Sequence, residues 1–274
     1  MEPETAAPAA PTPRGPHRAG LALVLAAAIL VLHQAGTALL VAGWGRPAVA
    51  ILVSGLLFLL YPTWRLAQVV GSPRDVLRLG GAPARVFPLA AAALITAMPV
   101  AIGIGHRIVP ADLPEQQWVI GLVRGTGAAD VLVAWAAAAL VPAIGEEWLY
   151  RGLLQRALER TLPGAAAIAT QAVAFGLVHG PARAIPATLL GLLLGWIARR
   201  TGSVWPGVVA HLVSNSSIVV LANLGDGSAA EWGTKTETSL AAGFVGAAVT
   251  AVLVGAIARA CPRPPSGSDP IPPV

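Results

Sequence analysis

The chain is short of charged residues and of cysteine. Only 11% of its 274 residues are Asp, Glu, Lys or Arg, whereas 55% are hydrophobic; an ordinary soluble domain carries about 25% charged residues. Several apolar runs are also long enough to cross a bilayer, so the composition excludes a soluble enzyme, a disordered chain and a nucleic-acid-binding module. The single cysteine, Cys261, excludes a disulfide framework and any metal site made of several cysteines. We therefore expect a polytopic membrane protein whose partners are the lipid bilayer and a substrate, with no nucleic acid.

Apolar runs predict an all-α transmembrane bundle of about eight spans. The eight runs lie at 20–43, 48–64, 86–105, 129–154, 163–180, 184–198, 203–224 and 240–258. The run at 184–198 covers only about 22 Å as a helix, so we expect it to extend into its flanks or to lie inside the bundle. Residues 1–19 and the Pro-rich segment 261–274 are predicted to be disordered tails of a bundle at 20–260.

The basic residues predict how these helices are oriented. Seventeen of the 18 are arginines, and alternate connections hold twelve basic residues in one set and five in the other, with Arg151 inside a run. Because cytoplasmic loops carry the excess of Lys and Arg, both termini and the 65–85 connection are predicted to be cytoplasmic. The Arg-rich and Ala-rich composition favours the inner membrane of a bacterium. The first run follows two arginines, as a signal peptide would, but its length favours a retained helix.

A few ionisable residues lie within the apolar runs, where charge is costly and each such group is a functional candidate. They are His33, Glu146, Glu147, Arg151, His179 and His211. Glu147 and Arg151 are four residues apart in the favourable order, which predicts an ion pair within one helix, kinked near Pro142 and Gly145. Glu146 projects about 100° away without a local partner, as expected of a proton acceptor. The alternative is a purely structural polar network that ties helices together.

Two histidines each have a companion one helical turn away. These pairs are Phe175 with His179, and His211 with Asn215. Together with Glu146 they can converge on a water molecule or a divalent ion inside a helical bundle. A lone buried histidine usually only satisfies a hydrogen bond, and we assign His33 to that class. No serine lies in a G-x-S-x-G context and Cys261 lies beyond the last run, so we expect attack by water rather than an acyl-enzyme.

Three segments resemble, in order and spacing, the three motifs of the CPBP family. They are EEWLYRGLLQ at 146–155, FGLVH at 175–179 and HLVSN at 211–215. The family comprises CAAX prenyl endopeptidases, bacterial Abi-type proteases, and bacteriocin-processing or immunity proteins. Residues 191–211 also resemble the stretch before the family's last motif, so the resemblance covers about 129–220. Tyr150 stands where many members carry Phe.

The resemblance implies an intramembrane endopeptidase on an eight-helix bundle, with a conical cavity that opens toward the cytosol and admits the C-terminal region of a membrane-associated or lipidated substrate. It implies that Glu146 and His179 activate the hydrolytic water, and that His211 and Asn215 bind the oxyanion. Glu147, Arg151 and Phe175 are then supporting residues. Prenylated CAAX proteins are not expected in a bacterium, so the natural substrate is expected to be another peptide or membrane protein.

Three alternatives remain at this point. A carboxylate and two histidines are an acceptable zinc set, in which Glu146, His179 and His211 leave one position open; we expect no cofactor, because no HExxH-type pair is present. A catalytically idle scaffold or bacteriocin-immunity protein would keep the same fold. An ion or proton carrier would favour internal repeats, which the sequence does not show.

The predicted depths of the site residues do not match. Counted along straight helices from the cytoplasmic edge, His179 lies about 24 Å deep, Glu146 about 15 Å and His211 about 12 Å. A straight bundle therefore leaves His179 too far outward. Helix tilt, the predicted kink near Pro142, or an earlier start of the other two helices would each bring the three residues level.

Overall fold

The computed structural model describes residues 16–109, 118, 121–224 and 240–262. Their apolar segments form eight long helices: α1 Pro16–Gly43, α2 Pro47–Val70, α3 Val86–Ile108, α4 Ala128–Leu158, α5 Gly164–Leu177, α6 Pro181–Thr201, α7 Trp205–Asn223 and α8 Leu240–Ala260. No strand occurs in these described ranges, and the predicted helical membrane bundle is confirmed. The predicted disordered tails lie almost wholly outside the described residues, although α1 begins at Pro16, earlier than the predicted boundary at 20.

Seven of the eight helices described here are long and apolar enough to cross a membrane, so the chain is an integral membrane protein. The predicted short run at 184–198 does extend into its flanks, as α6. The short helix is instead α5, whose 14 residues cover about 21 Å. It ends at Leu177 because Gly180 has a φ of +80°, which favours glycine, and Pro181 begins the next helix.

The helix α4 carries the first motif and lies between α2 and α7, with further contacts to α1. It is helical throughout, and a wider π-helical turn lies directly before Pro142, near which we predicted a kink. In that turn the Val141 N–H bonds to the carbonyl of Ala136, five residues back. Proline lacks an N–H and its ring clashes with the carbonyl four residues back, and the wider turn accommodates both defects. The same arrangement precedes Pro62 in α2.

The arginine-rich end of the bundle is covered by the 71–85 connection. The Val204 N–H donates to the Arg78 carbonyl over 3.0 Å, and Ser203 Oγ donates to the Gly80 carbonyl over 2.6 Å. The Arg78 guanidinium pairs with Glu159 just beyond α4. Burial lowers the pKa of Arg78, and the Glu159 carboxylate opposes that shift. The start of α7 therefore lies beneath this connection rather than at the edge of the bundle.

Candidate active site

Three ionisable side chains from the three motifs converge on one point. Glu146 Oε2 lies 3.8 Å from His211 Nε2 and 4.0 Å from His179 Nε2. Both distances exceed a hydrogen bond, so the groups surround a common point without bonding directly to one another. The side chains of Glu146 and His179 keep 18% and 21% of their surface exposed. The structure thus brings together the three residues that the sequence analysis selected as a set.

The three side chains meet in the structure, so the mismatch in depth that straight helices predict does not hold. The helix α4 continues to Leu158, which adds about 3 Å between Glu146 and its end. The helix α7 begins at Trp205, no earlier than the assumed edge, but its start lies beneath the 71–85 connection, so His211 lies deeper in the bundle than its distance from the helix start indicates.

His179 lies in the turn between α5 and α6, and its ring is fixed by a backbone bond. Its Nδ1 lies 2.6 Å from the Phe175 carbonyl. A carbonyl can only accept, so Nδ1 carries the hydrogen, and in the neutral ring Nε2 presents a lone pair toward Glu146. On α1, Gln34 Nε2 donates to the Val178 carbonyl over 3.1 Å, which ties this turn to the first helix. The acceptor nitrogen of His179 is therefore directed at the carboxylate.

His211 is held by a different kind of group. Its Nδ1 lies 3.2 Å from Glu147 Oε1, which also accepts a 2.8 Å bond from Arg151 Nη1. Glu147 and Arg151 have no exposed side-chain surface. The predicted ion pair between them is present, but its additional contact with α7 was not foreseen. Gly207 permits this contact, because a Cβ there would lie 2.8 Å from Glu147 Oε2.

Asn215 bonds to the backbone of α4. Its Nδ2 donates to the Ala138 carbonyl over 3.0 Å. Ala138 lies four residues before Pro142, so proline cannot supply the N–H that this carbonyl would meet in a regular α-helix. Asn215 therefore joins α7 to the proline turn of α4 through one N–H, and its amide has a second one.

Phe175 is the aromatic centre of the supporting residues. The Arg151 guanidinium lies 4.3 Å from the centroid of its ring, and the Tyr150 ring meets it edge-on at 5.0 Å. The His179 ring lies 4.4 Å away on another side. Phe175 is buried, so it separates the buried ion pair from the exposed face of the site while contacting both.

A cavity of about 260 Å³ adjoins Glu146, His179, His211 and Asn215. Its other walls come from α1, α2, the connection before α4, and the turn after α5. Most of the cavity walls lie on the side of Glu146 away from the arginine-rich connections, whereas Tyr150 lies about one helical turn toward them. The resemblance implied a cavity opening to the cytosol, and the arginine distribution predicted those connections to be cytoplasmic. Both stay predictions.

His33 lines the same cavity. Its Nδ1 lies 3.2 Å from Ser54 Oγ, which is 2.5 Å from Thr37 Oγ1. His33 thus makes the structural hydrogen bond that we assigned to it, but it also faces the space beside Glu146, which the sequence analysis missed. The only available signal was its position within an apolar run, which does not distinguish the two roles.

The metal alternative concerns the same three side chains. In the part of the chain that the structure describes, no group of three His, Cys, Asp or Glu side chains meets the criteria for a metal site. Glu146, His179 and His211 are nevertheless suitable donor types for a metal, and Glu146 Oε2 lies 3.8 and 4.0 Å from the two histidine Nε2 atoms. Cys261 lies at the far end of the bundle, after α8. The absence of a metal stays a prediction, and the chemical steps below use only the side chains of the chain.

A comparison with protein-family models matches the segment that carries the three motifs. The model of the Type II CAAX prenyl endopeptidase Rce1-like family matches residues 128–217, close to the expected 129–220. This segment contains the three motifs and the four residues predicted to be catalytic. No curated protein and no solved structure matches the chain. The resemblance to the CPBP family is confirmed, and residues 128–217 form an Rce1-like domain of this CAAX-type family of membrane proteases.

Proposed function

We propose that the protein is an intramembrane endopeptidase that hydrolyses a peptide bond near the C-terminal part of a membrane-associated or lipidated peptide or protein. The observation that carries this proposal is the convergence of two imidazole Nε2 atoms on Glu146 Oε2 beside a cavity. Within the described residues, Glu146 Oε2 has no hydrogen-bond partner. A carboxylate without a structural bond is suited to accept and return a proton.

The different Nδ1 partners give the two histidines different roles. His179 bonds a carbonyl through Nδ1, so its Nε2 accepts a hydrogen bond from the attacking water. His211 bonds the Glu147 carboxylate through Nδ1, and in the proposed mechanism its Nε2–H donates to the oxyanion. Arg151 donates to the same Glu147 oxygen atom and so fixes the carboxylate beside His211. The second N–H of Asn215 is the other donor to the oxyanion.

The reaction then balances without a covalent enzyme intermediate. The water oxygen bonds to the scissile carbonyl carbon while Glu146 takes one of the water protons. The C–N bond breaks as Glu146 returns that proton to the leaving amine, and the products are a carboxylic acid and an amine. His211 and Asn215 offset the negative charge on the carbonyl oxygen of the tetrahedral intermediate.

The proposed setting is the cytoplasmic membrane of a bacterium, with both termini in the cytoplasm. The partition of twelve basic residues against five supports this orientation. The partners are the lipid bilayer and a peptide or membrane-protein substrate.

Product analysis tests the proposal directly. The purified chain is incubated in detergent with a library of quenched-fluorescent membrane peptides in ¹⁸O-labelled water, and products are identified by mass spectrometry. We expect endoproteolytic products with ¹⁸O in the new carboxylate, lost in Glu146→Gln and retained in Asp130→Asn, a matched carboxylate change on the exposed surface of α4. Cleavage that survives Glu146→Gln would refute the assignment of this site. A folded wild type that cleaves nothing would favour an idle scaffold or immunity protein.

A further inference from the structure

We propose that Tyr150 is a further catalytic residue of this site, and that its hydroxyl binds and orients the attacking water. The inference rests on the proposed function, because it assigns a role in the same hydrolysis. No step of the mechanism described above uses this side chain. Its hydroxyl is the only group that distinguishes it from a phenylalanine at the same position.

Two buried polar atoms beside the cavity have no hydrogen-bond partner among the described residues. They are Oε2 of Glu146 and the hydroxyl oxygen of Tyr150, and both residues line the cavity. Every other buried side-chain atom without a partner in the described part of the chain belongs to a residue outside the cavity walls. Because an unpaired buried polar group destabilises a fold, these two atoms indicate a shared ligand in the cavity.

The position of Tyr150 on α4 brings it close to the reacting groups. Glu146 and Tyr150 are four residues apart, so their side chains project from nearly the same face of the helix. The Tyr150 ring meets Phe175 edge-on at 5.0 Å, and the His179 ring lies 4.4 Å from the same phenylalanine. Tyr150 and His179 are therefore held against one aromatic ring, and Glu146 lies within one helical turn of Tyr150.

Packing fixes the place of the hydroxyl. Tyr150 is 1% exposed, and its ring lies against Phe175 and 5.8 Å from the Arg151 guanidinium. The oxygen lies on the long axis of the ring, so a flip of the ring does not move it, and only the hydroxyl hydrogen can turn. A phenylalanine would fill the same space without burying a hydroxyl. Packing alone therefore does not account for a tyrosine here.

The hydrogen-bonding capacity of water indicates what this hydroxyl contributes. Glu146 Oε2 and His179 Nε2 are 4.0 Å apart, which one water can bridge with two bonds of about 2.8 Å. These two acceptors take both hydrogens of the water, and one of its lone pairs attacks the scissile carbon. A phenol is protonated near neutral pH, so the Tyr150 hydroxyl donates a hydrogen bond to the other lone pair.

Three such contacts leave the water one direction in which it can attack, and orientation of this kind lowers the barrier to reaction. The hydroxyl keeps its own proton throughout. Glu146 still takes a proton from the water and returns it to the leaving amine, so the balance of the reaction is unchanged.

Tyr150→Phe tests the inference, because it removes the hydroxyl and keeps the ring. Tyr61→Phe is the matched control: it makes the same chemical change at the only other tyrosine of the chain, which is 62% exposed on α2. The wild type and both variants are purified in one detergent. Their kcat and KM are measured with a quenched-fluorescent peptide that the library assay selects, and their melting temperatures are measured in parallel.

We expect Tyr150→Phe to lower kcat roughly three- to tenfold, as loss of one hydrogen bond would, with unchanged KM and no fall in melting temperature. Tyr61→Phe should change none of the three. Unchanged kcat would overturn the inference, and so would a higher KM at constant kcat, which assigns the hydroxyl to substrate binding. A parallel fall in melting temperature would show a structural role instead. A loss of about a hundredfold or more would be that of an oxyanion donor, and would also overturn the assignment to the water.

Glu146→Gln in the same assay separates this inference from the proposed function. Cleavage that is lost in Glu146→Gln but unaffected by Tyr150→Phe defeats only the inference. Cleavage that does not depend on Glu146, or no cleavage by the folded wild type, defeats the proposed function and the inference with it.

Discussion

Arg151→Ala is expected to destabilise the fold, whereas Glu146→Gln is expected to remove activity and leave the fold intact. The two residues are on the same helix, but their surroundings differ. Arg151 is wholly buried, bonds Glu147 over 2.8 Å and lies over the Phe175 ring. Glu146 is partly exposed, and Oε2 has no hydrogen-bond partner in the described part of the chain.

The loss of stability in Arg151→Ala is set by the Glu147 carboxylate, which stays buried without its partner. Removing one partner of a buried ion pair costs about 3–5 kcal/mol, because the other charge stays buried without compensation. A desolvated cation–π contact contributes about 2 kcal/mol more. The lower figure is already a large part of a typical unfolding free energy of about 5–15 kcal/mol. At about 2–4 °C per kcal/mol, loss of the ion pair alone should lower the melting temperature by roughly 6–20 °C.

Thermal unfolding in one detergent, followed by the loss of monomeric protein on size exclusion, measures this difference. Arg65→Ala is the matched control, because Arg65 is exposed and, among the residues that the structure describes, its side chain bonds only Gln68; the substitution should shift the melting temperature by about a degree or two. Pairing Arg151→Met with Glu147→Gln should recover part of the loss, because no charge then remains buried. A melting temperature for Arg151→Ala within two degrees of Glu146→Gln would refute the division of roles.

The other predictions concern catalysis. Asn215→Ala should retain residual turnover, about 10²–10³ below wild type, because it removes one oxyanion donor, whereas Glu146→Ala should leave almost none in the same peptide assay. Gln34→Leu should lower kcat more than it lowers the melting temperature, because the Val178 carbonyl loses its bond and the turn that holds His179 loosens; unchanged kcat would contradict this. Activity should survive chelation, and one bound zinc per chain by elemental analysis, with activity restored by added metal, would show the metal-dependent version to be correct.

Local spacing was sufficient to predict part of this molecule. The apolar runs gave the helices, and the four-residue spacing gave the pair of Glu147 with Arg151. The ends of the helices were less predictable, because Gly180 and Pro181 stop α5 early while flanking residues lengthen α6. The hydropathy of an apolar run does not determine the residues at which its helix begins and ends.

Hydrophobic periodicity did not predict the contacts between distant segments of the chain. His211 bonds Glu147 across 64 residues, Asn215 bonds Ala138 across 77, and Gln34 bonds Val178 across 144. Each contact depends on which helices become neighbours, which a helical face alone does not specify. The sequence therefore predicted which ionisable side chains form the candidate site. The hydrogen-bond partners that distinguish His179 from His211 could be found only from the structure.

The matched segment 128–217 does not contain all the walls of the site. Within the cavity, α1 contributes His33 and Gln34 and α2 contributes Ile51 and Leu59, all outside that segment. Gln34 also holds the turn that directs His179 toward Glu146. In the proposed function, the reacting groups thus come from the matched segment, whereas part of the cavity surface that would meet a substrate comes from the helices before it. Related chains with the same motifs can therefore cut different substrates, and those differences should depend on the first two helices.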